Sequence, residues 1–329
     1  MLHWVLLYSA LPQRAEPCAQ NQGLRARSYR MPSRFPFPSI RLVMEAEPGT
    51  CNLYRDSEFC SRFSSGRDFE PEYHVKEAVA SFLTGCHLRA CPTIDLGANN
   101  GWVSSYMLSL GATVLSVEPQ ADFAAALRDS AALNCWAGRS AVFNGFATHK
   151  PRAQGRAGFG EPPLERMNMS TRFIYRAGGI PTRLGSSPAW VHAVPVVPLN
   201  SILLGHPSKE LDAALLGGEG SALEGRGSSP GSTMLCRLHG LCGGETTGVT
   251  QGSKQLVPWY ELIKIDVDGP EGAWLGHIER LLTTRKLRVN TMIVECHQCL
   301  STTLHRLQVC CENAPSLRVV PACGRRPCT

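Results

Sequence analysis

The sequence lacks the long hydrophobic runs of a membrane protein. None of its apolar stretches approaches the roughly 18 residues that a membrane-spanning helix needs, and aromatic residues make up only 7% of the 329 residues. The opening segment LHWVLLYSAL is apolar but too short to cross a bilayer. We therefore expect no stable membrane span. With 43% hydrophobic and 18% charged residues, the composition is that of a chain that buries a core.

The sequence also has little excess of charge of one sign. Its 33 basic residues against 27 acidic ones give a formal net charge of +6. The only basic bias lies between Arg14 and Arg41, where a single acid, Glu16, accompanies six arginines. Such a segment is typical of a disordered basic tail or of an organellar transit peptide. We expect no nucleic-acid partner. The localisation remains unknown: the cytoplasm or an organelle is favoured, and the apolar opening segment keeps the secretory route open.

The cysteines do not form a complete zinc-binding pattern. Cys296 and Cys299 have the two-residue spacing of a zinc knuckle, but no second such pair follows. Structural zinc, disulfides and free thiols all remain open for the fourteen cysteines. We place no metal ion in the site proposed below. The composition divides the chain into an extension over 1–68, flexible or targeting, a main domain over 69–309 and a Cys-rich tail over 310–329. A Gly/Ser-rich insertion interrupts the main domain at about 205–256.

Strands and helices alternate along the main domain. An amphipathic helix through PEYHVKEAVASFL precedes the buried strands PTIDLG, ATVLSVEP and SAVFNGFA, which alternate with the helices WVSSYMLSLG and ADFAAALRDSAALN. Further along, VHAVPVVPLNSILL predicts a strand and a short helix. ELIKIDVDG, AWLGHIERLL and VNTMIVECH predict another strand–helix–strand unit, and LHRLQVCCE a last helix. This order favours an α/β fold with a parallel sheet. The continuously apolar strands indicate the same, since helices cover both faces of such a sheet.

A glycine turn follows the first of these strands, in the segment from Asp95 to Gly101. It lacks the GxGxxG spacing of nicotinamide enzymes, and the acid Asp95 two residues before Gly97 would repel a pyrophosphate. An acid at this place suits a ligand with an ammonium group or hydroxyls. Asn99, where a glycine often stands, tolerates the left-handed backbone conformation. Capping of the next helix by Asp95 is the alternative interpretation.

A second acid, Glu118, ends the following strand, 23 residues beyond Asp95. A carboxylate at this place accepts both hydroxyls of a ribose in nucleoside-binding α/β folds. The two acids together indicate a site for S-adenosylmethionine, although Glu118 alone is equally typical of a surface residue before a turn. The full set of predicted cofactor-binding residues is Asp95, Gly97, Ala98, Asn99, Gly101, Glu118, Pro119 and Asn144.

The segments IDLGANNGWVSSYMLSLGATVLSVEPQ, VVPLNSIL, IKIDVDGPE and MIVECH resemble, in this order, the landmarks of FkbM-type S-adenosylmethionine-dependent methyltransferases. The resemblance covers roughly residues 72 to 300. It implies a Rossmann-like methyltransferase fold, with a central, mostly parallel seven-stranded sheet and helices on both faces. It also implies S-adenosylmethionine as cofactor and transfer of its methyl group to a hydroxyl of a small-molecule or glycan acceptor.

Transfer to a hydroxyl needs a group that removes its proton. Asp266 lies at the carboxyl end of a predicted strand, where open α/β sheets bind ligands. Together with Glu271 and His297 it forms the predicted catalytic set, although the two acids also suit the dipole of the helix that follows. Two landmarks differ from the usual family pattern, Asn200 in place of an aspartate and Pro270 after Gly269. A non-catalytic cofactor-binding relative is therefore one alternative function, and a nicotinamide-dependent oxidoreductase is another.

Overall fold

The protein is described from a computed structural model. The residues that the structure describes are 26–29, 40–43, 73–83, 85–86, 89, 91–99, 101–149, 155–160, 191–205, 257–267, 271–296 and 318–323. The predicted catalytic residue His297, the predicted helix LHRLQVCCE and the Gly/Ser-rich insertion beyond Gly205 lie outside these residues.

Strands and helices alternate over two stretches of the chain, as the sequence predicts. The first half contains β1 (Ala26–Tyr29), β2 (Ile40–Val43), α1 (Tyr73–Leu83), β3 (Pro92–Leu96), α2 (Trp102–Ser109), β4 (Thr113–Val117), α3 (Ala121–Leu133) and β5 (Ser140–Phe143). The second half contains β6 (Phe146–Thr148), β7 (Gly155–Gly160), β8 (Val191–Pro198), α4 (Leu199–Leu204), β9 (Trp259–Ile265), α5 (Glu271–Thr283), β10 (Arg288–Cys296) and β11 (Arg318–Cys323). The alternation runs from α1 to β5 and again from β8 to β10, whereas β5 to β8 are consecutive strands among the described residues.

The main sheet has six strands in the order β11-β10-β9-β3-β4-β5. Every neighbouring pair in it is parallel. The prediction of an α/β fold with a mostly parallel sheet is therefore confirmed, while a seventh strand of this sheet is not found among the residues described above. From β3 the chain moves outward to β4 and β5, and it later returns to β9 on the other side of β3. This reversal of strand order is where open α/β sheets bind ligands.

Helices cover both faces of the sheet. On one face α1, α2 and α3 bury a cluster that includes Val79, Met107 and the strand residue Leu262. On the other face α4 and α5 bury a cluster that includes Ile202 and Ile263, the next residue along β9. Neighbouring residues of one strand point to opposite faces, so the two clusters explain why β9 is apolar throughout most of its length.

The predicted strand SAVFNGFA is wrong as a single element, because its two halves belong to different sheets. β5 pairs with β4 in the main sheet, whereas β6 joins β7 and β8 in a three-stranded sheet. The break falls at Asn144 and Gly145. The Asn144 side chain donates to backbone carbonyls of the segment after β4, and a Cβ on Gly145 would lie 2.6 Å from the carbonyl oxygen of Pro195. These contacts turn the chain out of the main sheet.

Three regions outside the predicted elements contain strands. One of them is β7, which pairs antiparallel with β8. β1 and β2 pair antiparallel within the predicted extension, and β2 contacts α2 and α3. β11 lies within the predicted tail and pairs parallel with β10 at the edge of the main sheet. Cys86 and Cys91 form a disulfide between the end of α1 and the start of β3, and Cys135 is also disulfide-bonded. Of the three states left open for the cysteines, these three therefore adopt the disulfide.

Candidate functional site

The glycine turn connects β3 to α2 through residues with positive φ. The φ angle is 80° at Gly97, 52° at Asn99 and 80° at Gly101, so the left-handed conformation expected of Asn99 is confirmed. A Cβ on Gly97 would lie 1.7 Å from the carbonyl oxygen of Asp266. Glycine is thus needed here both for the backbone angle and because the turn packs directly on the chain at the end of β9.

The backbone amides of the turn bond to the protein itself. The amides of Gly97 and Ala98 both donate to the carbonyl oxygen of Val117, at 3.1 Å each. The amide of Asn99 donates to Oε2 of Glu118 at 2.8 Å, and that of Gly101 to the carbonyl oxygen of Ala98 at 2.9 Å. In dinucleotide-binding turns such amides face a pyrophosphate. The four amides here already have acceptors, which makes this part of the turn a poor anion site.

Glu118 is buried at the end of β4 and holds the turn. Its Oε2 accepts the Asn99 amide, and its Oε1 accepts the amide of Gln120 at 2.8 Å. Burial raises the pKa of this carboxyl group to about 7, although both amide bonds favour the charged form. A carboxylate oxygen accepts more than one hydrogen bond, so each oxygen retains capacity for a ligand hydroxyl.

Asp95 is fully buried beneath the turn. Its Oδ2 accepts a hydrogen bond from Ser104 at 2.6 Å, and Ser104 is also 2.8 Å from the hydroxyl of Ser116. Its Oδ1 lies 3.3 Å from the ammonium nitrogen of Lys264. Burial raises the pKa of Asp95, while Lys264 and Ser104 oppose that rise. The cation expected beside this acid is therefore a lysine of the protein.

Lys264 is the main residue of the site that sequence reasoning missed. It lies in β9, and its Nζ donates to the carbonyl oxygen of Gly97 at 3.0 Å and to Oδ2 of Asp266 at 3.2 Å. Its side chain is only 4% exposed. Lysine is almost never so buried unless it is paired. A lysine within the otherwise apolar run LIKI, two residues before an aspartate, was the available signal.

Asp266 follows β9 at the same edge of the sheet. Its amide continues the sheet by donating to the carbonyl oxygen of Leu96 at 3.0 Å. Its side chain is 19% exposed, whereas that of Asp95 is 0% exposed. The structure thus brings Asp95, Gly97, Glu118 and Asp266 to the carboxyl ends of three adjacent strands, and of the three acids Asp266 is the most exposed, whereas Glu118 is 3% exposed.

Asn144 and Pro119 shape the side of this edge next to β5. The Asn144 amide nitrogen Nδ2 donates to the carbonyl oxygens of Glu118 at 2.9 Å and Pro119 at 3.0 Å. The backbone amide of Glu118 in turn donates to the carbonyl oxygen of Phe143. Both predicted cofactor-binding residues therefore lie directly beside the carboxylate-bearing Glu118.

Asn200, the altered landmark, has a structural partner in α5. Its Oδ1 is 2.5 Å from Nε2 of His277, whose Nδ1 is 3.2 Å from a nitrogen of Arg280. Because arginine only donates, His277 accepts at Nδ1 and carries its proton on Nε2, which donates to Asn200. Burial and the Arg280 charge lower the pKa of His277. Asn200 thus joins α4 to α5 and lies away from the glycine turn in the hydrogen-bond network.

The remaining predicted catalytic residues are not positioned by the structure. Glu271 is the first residue of α5, for which the backbone alone is described, and His297 lies outside the described residues. Over the described ranges, no group of three or more His, Cys, Asp or Glu side chains is arranged to hold a metal ion.

Comparisons of the chain with protein-family models, with curated proteins and with solved structures gave no match. Among the helices that the structure describes, none has both the length and the apolar character needed to cross a membrane.

Proposed function

We propose that the protein is an S-adenosylmethionine-dependent methyltransferase of the FkbM type, which transfers a methyl group to a hydroxyl of a small molecule or glycan. One observation carries this proposal. The carboxylate of Glu118 lies beside a glycine turn at the reversal of strand order, and the turn amides already have acceptors within the protein. This arrangement suits a nucleoside with free ribose hydroxyls better than a pyrophosphate.

The residues present fit S-adenosylmethionine, and the two acids Glu118 and Asp95 have different roles in this fit. Glu118 holds the ribose hydroxyls, since each of its oxygens accepts a further hydrogen bond. Asp95 supports the turn from beneath and does not contact the donor, because Ser104 and Lys264 already contact its carboxylate. The ammonium end of the donor then falls to the turn, and Asp266, the partly exposed acid at the same edge, is left to the acceptor.

The chemistry of such a site rests mainly on alignment. When bound, S-adenosylmethionine supplies a methyl group that its sulfonium already activates for displacement. The protein then orients the acceptor hydroxyl in line with that methyl group and takes its proton at a carboxylate or imidazole. Asp266 is our first candidate for this proton acceptor, with Glu271 and His297 as the other two.

Calorimetric titration of the full chain with S-adenosylhomocysteine and with NAD tests the cofactor. We expect S-adenosylhomocysteine to bind and NAD not to bind, and binding of NAD alone would reject the proposal in favour of the oxidoreductase. Mass spectrometry of a cell extract incubated with the protein and an isotopically labelled methyl donor tests transfer. A protein that binds S-adenosylhomocysteine but labels nothing across a broad acceptor panel would be the non-catalytic relative.

A further inference from the structure

Lys264 connects the two halves of the sheet at the point where the strand order reverses. Its ammonium contacts the carbonyl oxygen of Gly97 on the β3 side and the carboxylate of Asp266 on the β9 side. A third contact, at 3.3 Å, reaches Oδ1 of Asp95. One buried cation therefore touches the glycine turn, the acid beneath it and the acid beside it.

Stability alone does not explain this choice of residue. Exchange of a buried ion pair for apolar residues of similar volume is often neutral or stabilising, whereas removal of one partner is costly. Instead, a lysine with three oxygen contacts fixes the orientation of the groups that it contacts. It sets the orientation of the Gly97 carbonyl and, through it, of the peptide that leads into the turn. It also sets the direction in which the carboxylate of Asp266 points.

We propose that Lys264 is a positioning residue of the cofactor site, acting through Gly97. This inference rests on the proposed function, since it assigns Lys264 to the same donor-binding edge. The residue does not touch the donor. It holds the glycine turn in the arrangement that the donor meets, and its loss lowers affinity even where the fold remains intact.

The decisive comparison uses a background in which the buried charge of Asp95 is already removed. Asp95→Asn keeps the size of the side chain and leaves the Lys264 contacts to Gly97 and Asp266. Asp95→Asn/Lys264→Met removes the cation without leaving a fully buried carboxylate unpaired, since Asp266 is partly exposed. Lys286→Met, at an exposed lysine after α5, is the matched control.

Melting temperature, calorimetric affinity for S-adenosylhomocysteine and amide hydrogen exchange of residues 97–101 are measured for each full-length variant. We expect the double variant to melt no lower than Asp95→Asn, to bind at least tenfold more weakly, and to exchange faster in the turn. Equal affinity of the two variants would overturn the role of Lys264 while leaving the proposed function intact. A double variant that melts well below Asp95→Asn would also overturn it, since the role would then be structural. Absence of binding to the wild-type protein would reject the proposed function, and this inference with it.

Discussion

The backbone amide of Asn99 donates to the carboxylate of Glu118 over 2.8 Å, and this bond joins the tips of two adjacent parallel strands. Asn99 has the positive φ that presents its amide to β4, and Glu118 directly follows that strand. The acid therefore has two roles in one place, as a brace of the turn and as the proposed acceptor of ribose hydroxyls. Its substitution is expected to affect both.

Glu118→Ala and Asp95→Ala are each expected to weaken the binding of S-adenosylhomocysteine by roughly 1–3 kcal/mol, which corresponds to about 5- to 150-fold. The first removes the ribose acceptor and the brace of Asn99, and the second removes the carboxylate that lies 3.3 Å from the ammonium of Lys264 beneath the turn. Calorimetric titration measures both, with Glu77→Ala, at an exposed residue of α1, as the control. Unchanged affinity in both variants would reject the pocket.

Glu118 also makes the stability depend on pH. Its pKa rises from 4.5 to about 7 on folding because the carboxyl group is buried. Below pH 4.5 the group is protonated in both states, so burial then carries no cost of charge. Between pH 4.5 and about 7 the unfolded state ionises while the folded state keeps its proton, so stability falls over this range, and the loss is complete above it. Relative to Glu118→Gln, which does not titrate, we expect a loss on the order of 2–3 kcal/mol between pH 5 and pH 8.

Urea unfolding of the wild-type protein and of Glu118→Gln at both pH values measures this loss. The difference between the two proteins matters rather than either value, because the other titrating groups are shared and cancel. If the free energy of unfolding changed equally in both proteins between the two pH values, Glu118 would have an ordinary pKa in the folded protein.

Asp266→Asn is expected to lower the rate of methyl transfer by roughly 10²- to 10⁴-fold, the usual contribution of a general base. Affinity for S-adenosylhomocysteine should stay near normal, because the amide retains the size of the side chain and an oxygen that accepts from Lys264. Transfer from labelled donor to the acceptor fraction of the extract gives the rate, and calorimetry gives the affinity. A collapse of binding would instead assign Asp266 to the cofactor.

Gly97→Ala should destabilise the fold by at least about 2 kcal/mol. The substitution places a Cβ in a left-handed conformation, where L-residues lose roughly 1–2 kcal/mol, and 1.7 Å from the carbonyl oxygen of Asp266. Gly276→Ala in α5 is the matched control, because a Cβ there meets nothing within 4 Å, and alanine favours a helix by about 1 kcal/mol. In chemical unfolding, we expect Gly97→Ala to lower the free energy of unfolding and Gly276→Ala to raise it. A Gly97→Ala protein as stable as the wild type would contradict the contact with Asp266.

Loss of the Cys86–Cys91 disulfide should lower the free energy of unfolding by about 2 kcal/mol, the loop-closure value for so short a loop. The sequence separation of the two cysteines is 5. Urea unfolding of Cys86→Ala/Cys91→Ala against the oxidised wild type measures the effect, and thiol counting by mass spectrometry confirms the oxidation state. A wild-type protein with both thiols free would contradict the bond.

Much of the fold was predictable because its strands are short apolar runs between helices and turns. The unit from β3 to β5 follows this rule, and so does the unit from β9 to β10. The boundary at Asn144 was not predictable, because it depends on carbonyl groups of the segment after β4. β11 was missed because its six residues, RVVPAC, contain a proline and lie in a segment whose many cysteines dominate its composition.

The site was predictable in its positions more than in its contacts. The glycines and acids at strand ends are visible in sequence because parallel strands bring their carboxyl ends to one edge. The partner of Asp95 was not visible, since it comes from β9, far along the chain. Local spacing led to the expectation of a ligand ammonium, whereas the fold supplies the ammonium of Lys264.

The bond between Lys264 and the Gly97 carbonyl spans 167 positions of the chain. While the protein is being synthesised, β3 therefore emerges long before its neighbour β9. During that interval the edge of β3 that pairs with β9 has no strand beside it. Such distant pairings slow folding and leave sheet edges open to association with other chains. We therefore expect the nascent protein to be most prone to aggregation, and to depend most on chaperones, before β9 leaves the ribosome.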